Sequence, residues 1–314
     1  MLKTIRIGSR ESQLAMWQTK HVVEELKKKC PQYNYEIIPI KTKGDKILDV
    51  ALAKIGDKGL FTKELELAML QNEIDFAVHS MKDLPTVIPE GLQISAITAR
   101  HDSRDALISK DNLKFNQLPP GAKVGTSSLR RRAQLLNLRP DIKLCDLRGN
   151  LNTRLKKMET ENFDAIILAV AGIERLGWQD KIAEKLDFTV CLPAVGQGAL
   201  GIETRCNDPE IIALTGLLND EDTYYCVTAE RSLLRELEGG CQIPIGARGV
   251  IKDKLLYLEA MVASLDGSVL IRDRVEGPFE KAIDLGLELA EKLKQQGATK
   301  ILEEIRQVVD CGTR

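Results

Sequence analysis

Residues 123–132 read Lys-Val-Gly-Thr-Ser-Ser-Leu-Arg-Arg-Arg. A short apolar strand ends at Gly125, and Thr126-Ser127-Ser128 opens a helix expected over residues 128–136. The same junction stands near the start of the chain. There Arg6-Ile-Gly-Ser9 closes a strand over 4–8, and a helical pattern runs from 12 to 29. A second pair echoes too: Asp75-Phe-Ala-Val78 and Asp164-Ala-Ile-Ile167 each open a strand after a helix. Two similar lobes would explain both echoes. Short junctions of this kind also coincide by chance, so duplication stays open at this point.

Outward from these anchors, strands are expected at 35–40, 76–79, 92–98, 143–146 and 165–170. Helices are expected at 61–72, where Leu65, Leu67, Ala68 and Leu70 form an apolar stripe, and at 151–159. After Arg100-His-Asp-Ser-Arg104 the pattern restarts. Alternating strands and helices argue for an α/β architecture with parallel sheets. The last third changes character. Helices at 208–218 and 222–237 precede alternating segments around 243–251, 255–264 and 269–275, and a helical end from 280. Strands grouped together and then helices read as a small α+β domain, with Asp266-Gly267 as a hairpin turn.

A chain of 314 residues suggests two domains, or three small ones, at about 150 residues each. It can bury roughly three-quarters of its unfolded surface, so a core needs no staple. Hydrophobic residues at 43% and charged residues at 29% exclude a disordered chain. Forty-five basic against 46 acidic residues leave a net charge of −1, poor footing for a nucleic-acid binder. The longest strongly apolar stretch, 165–173, falls far short of the ~20 residues of a membrane span. No apolar signal core follows Met1, so export is not expected. Cysteines at 30, 145, 191, 206, 226, 241 and 311 make no Cys-x-x-Cys, and histidines stand only at 21, 79 and 101. No metal site is expected, and free thiols point to the reducing cytosol.

Arginine placement is the strongest chemical signal. Arg10, Arg148 and Arg175 follow strands directly, Arg130, Arg131 and Arg132 lie just inside a helix, and Arg154 sits about one turn into the next. Ligands of open α/β sheets bind beyond the carboxyl ends of the strands. Arginines repeated there imply an anion held by forked contacts and helix N-termini. Taken singly, Arg130, Arg131, Arg132 and Arg154 read equally as a solvated helix face. Ser9, Ser12, Thr126, Ser127 and Ser128 read as helix caps, which is compatible with anion binding. In Val78-His-Ser-Met-Lys-Asp-Leu-Pro85, Lys82 and Asp83 leave an apolar strand; Asp83 could stabilise positive charge, or the pair could be an exposed turn. His79 reads as a core histidine. Cys241, after Gly239-Gly240, is a candidate nucleophile, and the other six cysteines read as small buried hydrophobes. Residues 42–60, with Gly44, Gly56 and Gly59, read as a lid or a plain surface loop. These residues leave two classes standing: a polyanion-binding module and a covalent transferase.

Six motifs carry a resemblance that covers essentially the whole chain. They are Gly8-Ser-Arg-Glu-Ser-Gln-Leu-Ala15, His79-Ser-Met-Lys-Asp-Leu-Pro85, Gly125-Thr-Ser-Ser-Leu-Arg-Arg-Arg132, Leu147-Arg-Gly-Asn-Leu-Asn-Thr-Arg154, Pro193-Ala-Val-Gly-Gln-Gly198 and Gly239-Gly-Cys241. With them the chain closely resembles the porphobilinogen deaminase (hydroxymethylbilane synthase) family. The resemblance implies an α/β fold of two lobes like those of type II periplasmic binding proteins, plus a C-terminal α+β domain. The lobes would span 1–98 with 199–217, and 103–193; the third domain, 222–314, would carry the cofactor cysteine. The implied reaction joins four porphobilinogen molecules head to tail into hydroxymethylbilane, with loss of ammonia. A dipyrromethane cofactor, attached to Cys241 by a thioether, would prime it.

The resemblance also implies roles for single residues. Asp83, Lys82 and Arg10 would be catalytic, with Asp83 holding pyrrole N–H groups and the charge that forms on the pyrrole nitrogen. Asp83, Lys82, Thr126, Ser128, Arg130, Arg131 and Arg148 would bind the cofactor with Cys241. Arg10, Ser12, Arg154, Arg175 and Gln197 would bind substrate. Each pyrrole carries an acetate and a propionate, which suits an arginine cluster in a near-neutral protein. The expected protein is a cytoplasmic monomer acting on a small molecule, without metal, nucleic-acid or membrane partners. The competing class, a non-enzymatic two-lobed anion binder, is disfavoured by the Gly-Gly-Cys motif and by the N-terminus. A nucleic-acid reader is disfavoured by charge balance and by only 4% aromatic residues.

Overall fold

In the computed structural model, which describes residues 2–46, 59–238 and 243–311, the echoing segments hold matching places in two sheets. The chain runs β1 (Thr4–Arg10), α1 (Gln13–Lys29), β2 (Asn34–Ile40), α2 (Lys63–Leu70), β3 (Phe76–Ser80) and β4 (Leu92–Ile97). It continues through β5 (Asp105–Ser109), β6 (Lys123–Gly125), α3 (Leu129–Leu138), β7 (Lys143–Cys145), α4 (Leu151–Thr160), β8 (Ala165–Ala169), α5 (Val170–Arg175) and β9 (Glu184–Lys185). Then follow β10 (Leu200–Arg205), α6 (Pro209–Gly216), α7 (Glu221–Glu236), β11 (Ile245–Lys252), β12 (Leu255–Ala263), β13 (Leu270–Pro278), α8 (Ala282–Gln295) and α9 (Ala298–Cys311).

The first sheet has the order β2-β1-β3-β10-β4 and the second β7-β6-β8-β5-β9. In each, three strands are parallel, and the fourth in the order is antiparallel to both its neighbours. This corrects the expectation of parallel sheets. The antiparallel strands, β10 and β5, lie in segments whose local pattern was not singled out.

The echo is a repeat of contacts as well as of sequence. Asp75 accepts the Arg6 amide at 2.7 Å, and Asp164 accepts the Lys123 amide at 2.7 Å. The two aspartate amides return bonds to Arg6 O and Lys123 O at 2.7 and 2.9 Å. Gly8 and Gly125 follow at the same place. A Cβ on Gly8 would sit 2.3 Å from Ile74, and one on Gly125 3.0 Å from Leu147. Both strands need a glycine where a neighbouring side chain crosses them.

Contacts divide the described residues into two units. One holds 2–46, 59–101 and 198–224; the other holds 102–197 and 225–311 apart from 239–242. In the first unit, Ile5, Ile7, Phe76, Val78 and Ile202 pack on Val22, Val23 and Leu26 of α1, while Ala77 and Leu92 face Leu65, Ala68 and Met69 of α2. At roughly 1.5–3 kcal/mol for each large apolar side chain, such faces dominate the stability of a lobe. In the second unit, Leu256, Leu258, Ala260 and Val262 of the antiparallel sheet β11-β12-β13 pack on Leu285, Leu289 and Leu293 of α8. The expected Asp266-Gly267 turn joins β12 to β13. Gly267 has φ +73° and donates no side chain there; its carbonyl accepts from Asn137 Nδ2 of α3 at 2.8 Å. The hairpin therefore seats the third sheet on the helix that carries Arg130 and Arg131.

Candidate functional site

In the first unit, β1 ends on Arg10, and Ser12 caps α1 by accepting the Ala15 amide at 3.3 Å. The Arg10 guanidinium carbon lies 4.2 Å from the centroid of the Phe61 ring, which holds the cation flat against an aromatic face. Phe61 was missed in the sequence, because its role depends on a loop that returns beside β1. Strand β3 leads into a single 3-10 turn, Met81–Asp83, whose half-buried Lys82 and Asp83 are flanked by buried Met81 and Leu84. This is a built turn, tied by Met81 N donating to Ala199 O at 3.0 Å and by Gln18 Nε2 donating to Ser80 Oγ at 2.9 Å. His79 is buried, as expected of a core histidine.

In the second unit, Ser128 caps α3 by accepting the Arg131 amide, and Thr126 Oγ1 accepts the Ser128 amide at 3.2 Å. Arg130 and Arg131 are buried, which removes the solvated-face reading for these two. Both guanidinium groups turn to Asp105, which heads β5 and is fully buried. Arg130 Nη1 donates to Asp105 Oδ2 at 2.8 Å and to Leu192 O at 2.5 Å. Arg131 donates to Asp105 Oδ1 through Nε at 3.1 Å and Nη2 at 2.7 Å, and to Ile167 O at 2.9 Å. Gln197 Nε2 adds 2.9 Å to Asp105 Oδ1 and 2.7 Å to Ser103 O. The Cys191 thiol faces Oδ2 at 3.3 Å.

Burial by itself would raise the Asp105 carboxyl, but Arg130 and then Arg131 outweigh it and hold it far below the usual carboxylate range. Burial pushes the Cys191 thiol up to about 12, so this cysteine stays a neutral packing group. Asp105 was missed in the sequence. Its one signal was a carboxylate at the head of an apolar run.

Three further arginines stand in the same unit. Arg154 Nε donates to Gly149 O at 2.8 Å, at the start of α4. Burial lowers the Arg148 guanidinium, with Asp146 opposing. Arg175 ends α5, is 9% exposed, and burial pushes it down to about 10. A desolvated guanidinium gains from an arriving carboxylate, because the cost of burying charge is then shared. The Asp105 cluster has the same character: two guanidinium charges face one carboxylate, which leaves an excess of one positive charge. This donor set fits a ligand rich in carboxylates.

Cys241 with Gly239 and Gly240, and residues 47–58 of the expected lid, lie outside the described residues. Cys30, Cys191 and Cys226 are buried thiols, as expected, whereas Cys206 is exposed and Cys145 half-buried. Those two correct the reading of all six as buried. Cys206 follows β10 directly, where the chain turns outward before α6. Among the described residues no cluster of His, Cys, Asp and Glu could hold a metal ion, and no helix is long and apolar enough to cross a membrane.

Residues 5–213 match the model of the porphobilinogen deaminase dipyromethane cofactor binding domain, and residues 224–295 match that of the porphobilinogen deaminase C-terminal domain. The chain belongs to the porphobilinogen deaminase family. A porphobilinogen deaminase of Desulforamulus reducens is 60% identical over 306 residues, covering 98% of this chain and 99% of that one. One from Carboxydothermus hydrogenoformans is 56% identical over 98% of both, and one from Synechococcus elongatus 55% identical over 96% of both. Among solved structures, the periplasmic aliphatic sulphonate binding protein SsuA of Escherichia coli matches at a TM-score of 0.41, with 15% identity over 75% of this chain and 71% of that one. Membership of the porphobilinogen deaminase family sets the meaning of the two donor sets. The Lys82–Asp83 turn and Arg10 belong to one unit, and the arginine cluster to the other.

Proposed function

We propose that this chain condenses four porphobilinogen molecules head to tail into hydroxymethylbilane, releasing ammonia, and is primed by a dipyrromethane joined to Cys241 through a thioether. The observation that carries the reading is the donor set. Buried, desolvated arginines and a positive excess around Asp105 suit a ligand that gains two carboxylates with each pyrrole. The dipyrromethane, when bound, supplies the pyrrole end onto which substrate is added.

The chain's own residues do the rest. Thr126 and Ser128 offer a helix start to an anion, beside Arg148. Arg130 and Arg131, fixed by Asp105 and Gln197, give a rigid positive field on the cofactor side. Ser12, Arg154, Arg175 and Gln197 bind substrate, with Gln197 Nε2 also donating to Asp105 Oδ1 at 2.9 Å. Arg10, kept in place by Phe61, binds and orients the incoming acetate or propionate. Asp83 accepts pyrrole N–H groups and stabilises the cation left when the amine departs. Lys82 keeps a positive charge beside it that pairs with substrate carboxylate. Three domains, at 1–98 with 199–217, 103–193 and 222–314, remain our division of the chain. We place the protein in the cytoplasm as a monomer, without nucleic-acid or membrane partners, on its balanced charge and its reduced thiols.

The test is an intact mass of the denatured, active protein. It should exceed the sequence mass by two linked pyrrole units, with the adduct on the peptide that contains Cys241. An unmodified mass in active enzyme, or an adduct on Cys206 or Cys226, defeats the proposal.

A further inference from the structure

A buried group of charges lies under the Lys82–Asp83 turn, and the mechanism above does not use it. His79 on β3, Glu203 on β10 and Glu66 on α2 are 4%, 0% and 8% exposed. His79 Nε2 stands 3.0 Å from Glu203 Oε2. Thr62 Oγ1, Glu66 Oε1, His79 Nε2 and both Glu203 carboxylate oxygens are buried without a well-aligned hydrogen bond. They are walled by Leu65, Ala68, Met69 and Ala77, so an isolated charge there is costly. Burial, with Glu203 beside it, raises the Glu66 carboxyl, and Thr62, His79 and Lys63 oppose this only in part.

The pair sits where it controls the turn. His79 is in register with Gly201 of β10, Ser80 with Leu200, and the ladder continues as Met81 N donating to Ala199 O. Gly201 leaves room for the turn itself: a Cβ there would lie 2.8 Å from Met81 Sδ and 2.9 Å from Leu84 Cδ1. Met81 and Leu84 bracket Lys82 and Asp83 in sequence. Any slip or tilt of β10 against β3 therefore moves both ends of the bracket. Glu203, two residues along β10 from Gly201 and on the same face, is the group that fixes β10 to His79 by charge.

We propose that the buried contact between His79 and Glu203 positions the Lys82–Asp83 turn for catalysis, with Glu66 as a bystander. The inference rests on the role given to Asp83, which Asp83→Ala tests separately: an active Asp83→Ala enzyme defeats that role, whatever the contact does.

The test compares two substitutions of equal volume in the dipyrromethane-loaded enzyme. Glu203→Gln removes the carboxylate that faces His79 Nε2 at 3.0 Å. It should lower kcat by about 10- to 100-fold through misplacement of the turn, with KM changed far less. Glu66→Gln leaves the His79–Glu203 contact in place and should leave both constants within about threefold. The double variant His79→Gln, Glu203→Gln leaves neither group facing a lost partner and should recover a large part of the kcat lost in Glu203→Gln. Loading is read by intact mass and folding by circular dichroism. Equal losses in Glu66→Gln and Glu203→Gln, or a wild-type kcat in folded Glu203→Gln, overturn the proposal. Should Glu203→Gln not fold, the double variant decides: folded and active supports it, folded and inactive overturns it.

Discussion

Replacing Asp105 with asparagine should weaken the second unit more than any surface change could. The side chain keeps its shape but loses its charge. Two guanidinium groups, 5% and 7% exposed at the side chain, then stand without a counter-ion. The new amide also turns an N–H toward one of Arg130, Arg131, Gln197 or Cys191, all of which now point donors at it. Removing one partner of a buried ion pair costs about 3–5 kcal/mol, so the loss should lie in that range. The pH dependence has a definite sign. A carboxyl held below its ordinary value contributes its full stability above the unfolded value near about 4, and loses it as pH falls toward the folded value. The gap between wild type and Asp105→Asn should therefore be constant from neutral pH to about 5 and shrink below about 4. Hydrogen exchange of the β5 and α3 amides in increasing urea reports this unit without averaging over the chain. A loss under about 1 kcal/mol, the size of an ordinary substitution, would refute the reasoning.

Asp83→Ala should nearly abolish turnover, at roughly 2.7–4 kcal/mol for one electrostatic group, while Asp83→Glu keeps part of it. Steady-state rates on loaded enzyme decide, and near-normal turnover in Asp83→Ala would count against the role. Gly267→Ala should loosen the third sheet from α3. Its Cβ would sit 2.4 Å from Ala133 O, on a residue whose φ of +73° already disfavours a side chain. Limited proteolysis should cleave the β12–β13 turn faster in this variant, and an unchanged rate would show that the seat is not needed. Arg131→Leu should yield protein without cofactor, whereas Arg10→Leu should stay loaded and stall during elongation. Anion-exchange profiles of the enzyme–substrate intermediates would be identical if the arginines acted as one undivided patch.

Much of both units could be read locally. Ser12 and Ser128 were recognisable as caps, because a hydroxyl before a helical stripe has one dominant use. The Asp75 and Asp164 echo proved structural, since both aspartates close the same strand junction. What stayed hidden needed distance. β10 joins its sheet from across the sequence, β5 meets partners that come later in the chain, and a strand's direction is set by its partners and not by its own alternation. The arginine triplet was visible as charge, yet nothing in residues 129–132 says that Arg130 and Arg131 fold onto a carboxylate 25 residues earlier. Residues near the catalytic turn show the same limit. His79 was expected in the core, but Glu203 and Glu66, which give it a partner, lie on other elements.

The place of β10 also orders events during synthesis. It is inserted between β3 and β4, so the first sheet lacks an inner strand until residue 205 has left the ribosome. The second sheet, by contrast, draws all five strands from residues 105–185, one uninterrupted stretch. A nascent chain can therefore finish the later lobe before the earlier one, reversing the usual N-terminal-first sequence. Until then β3 and β4 expose unpaired edges, a period in which a chaperone or the ribosome surface must keep them from pairing with other chains.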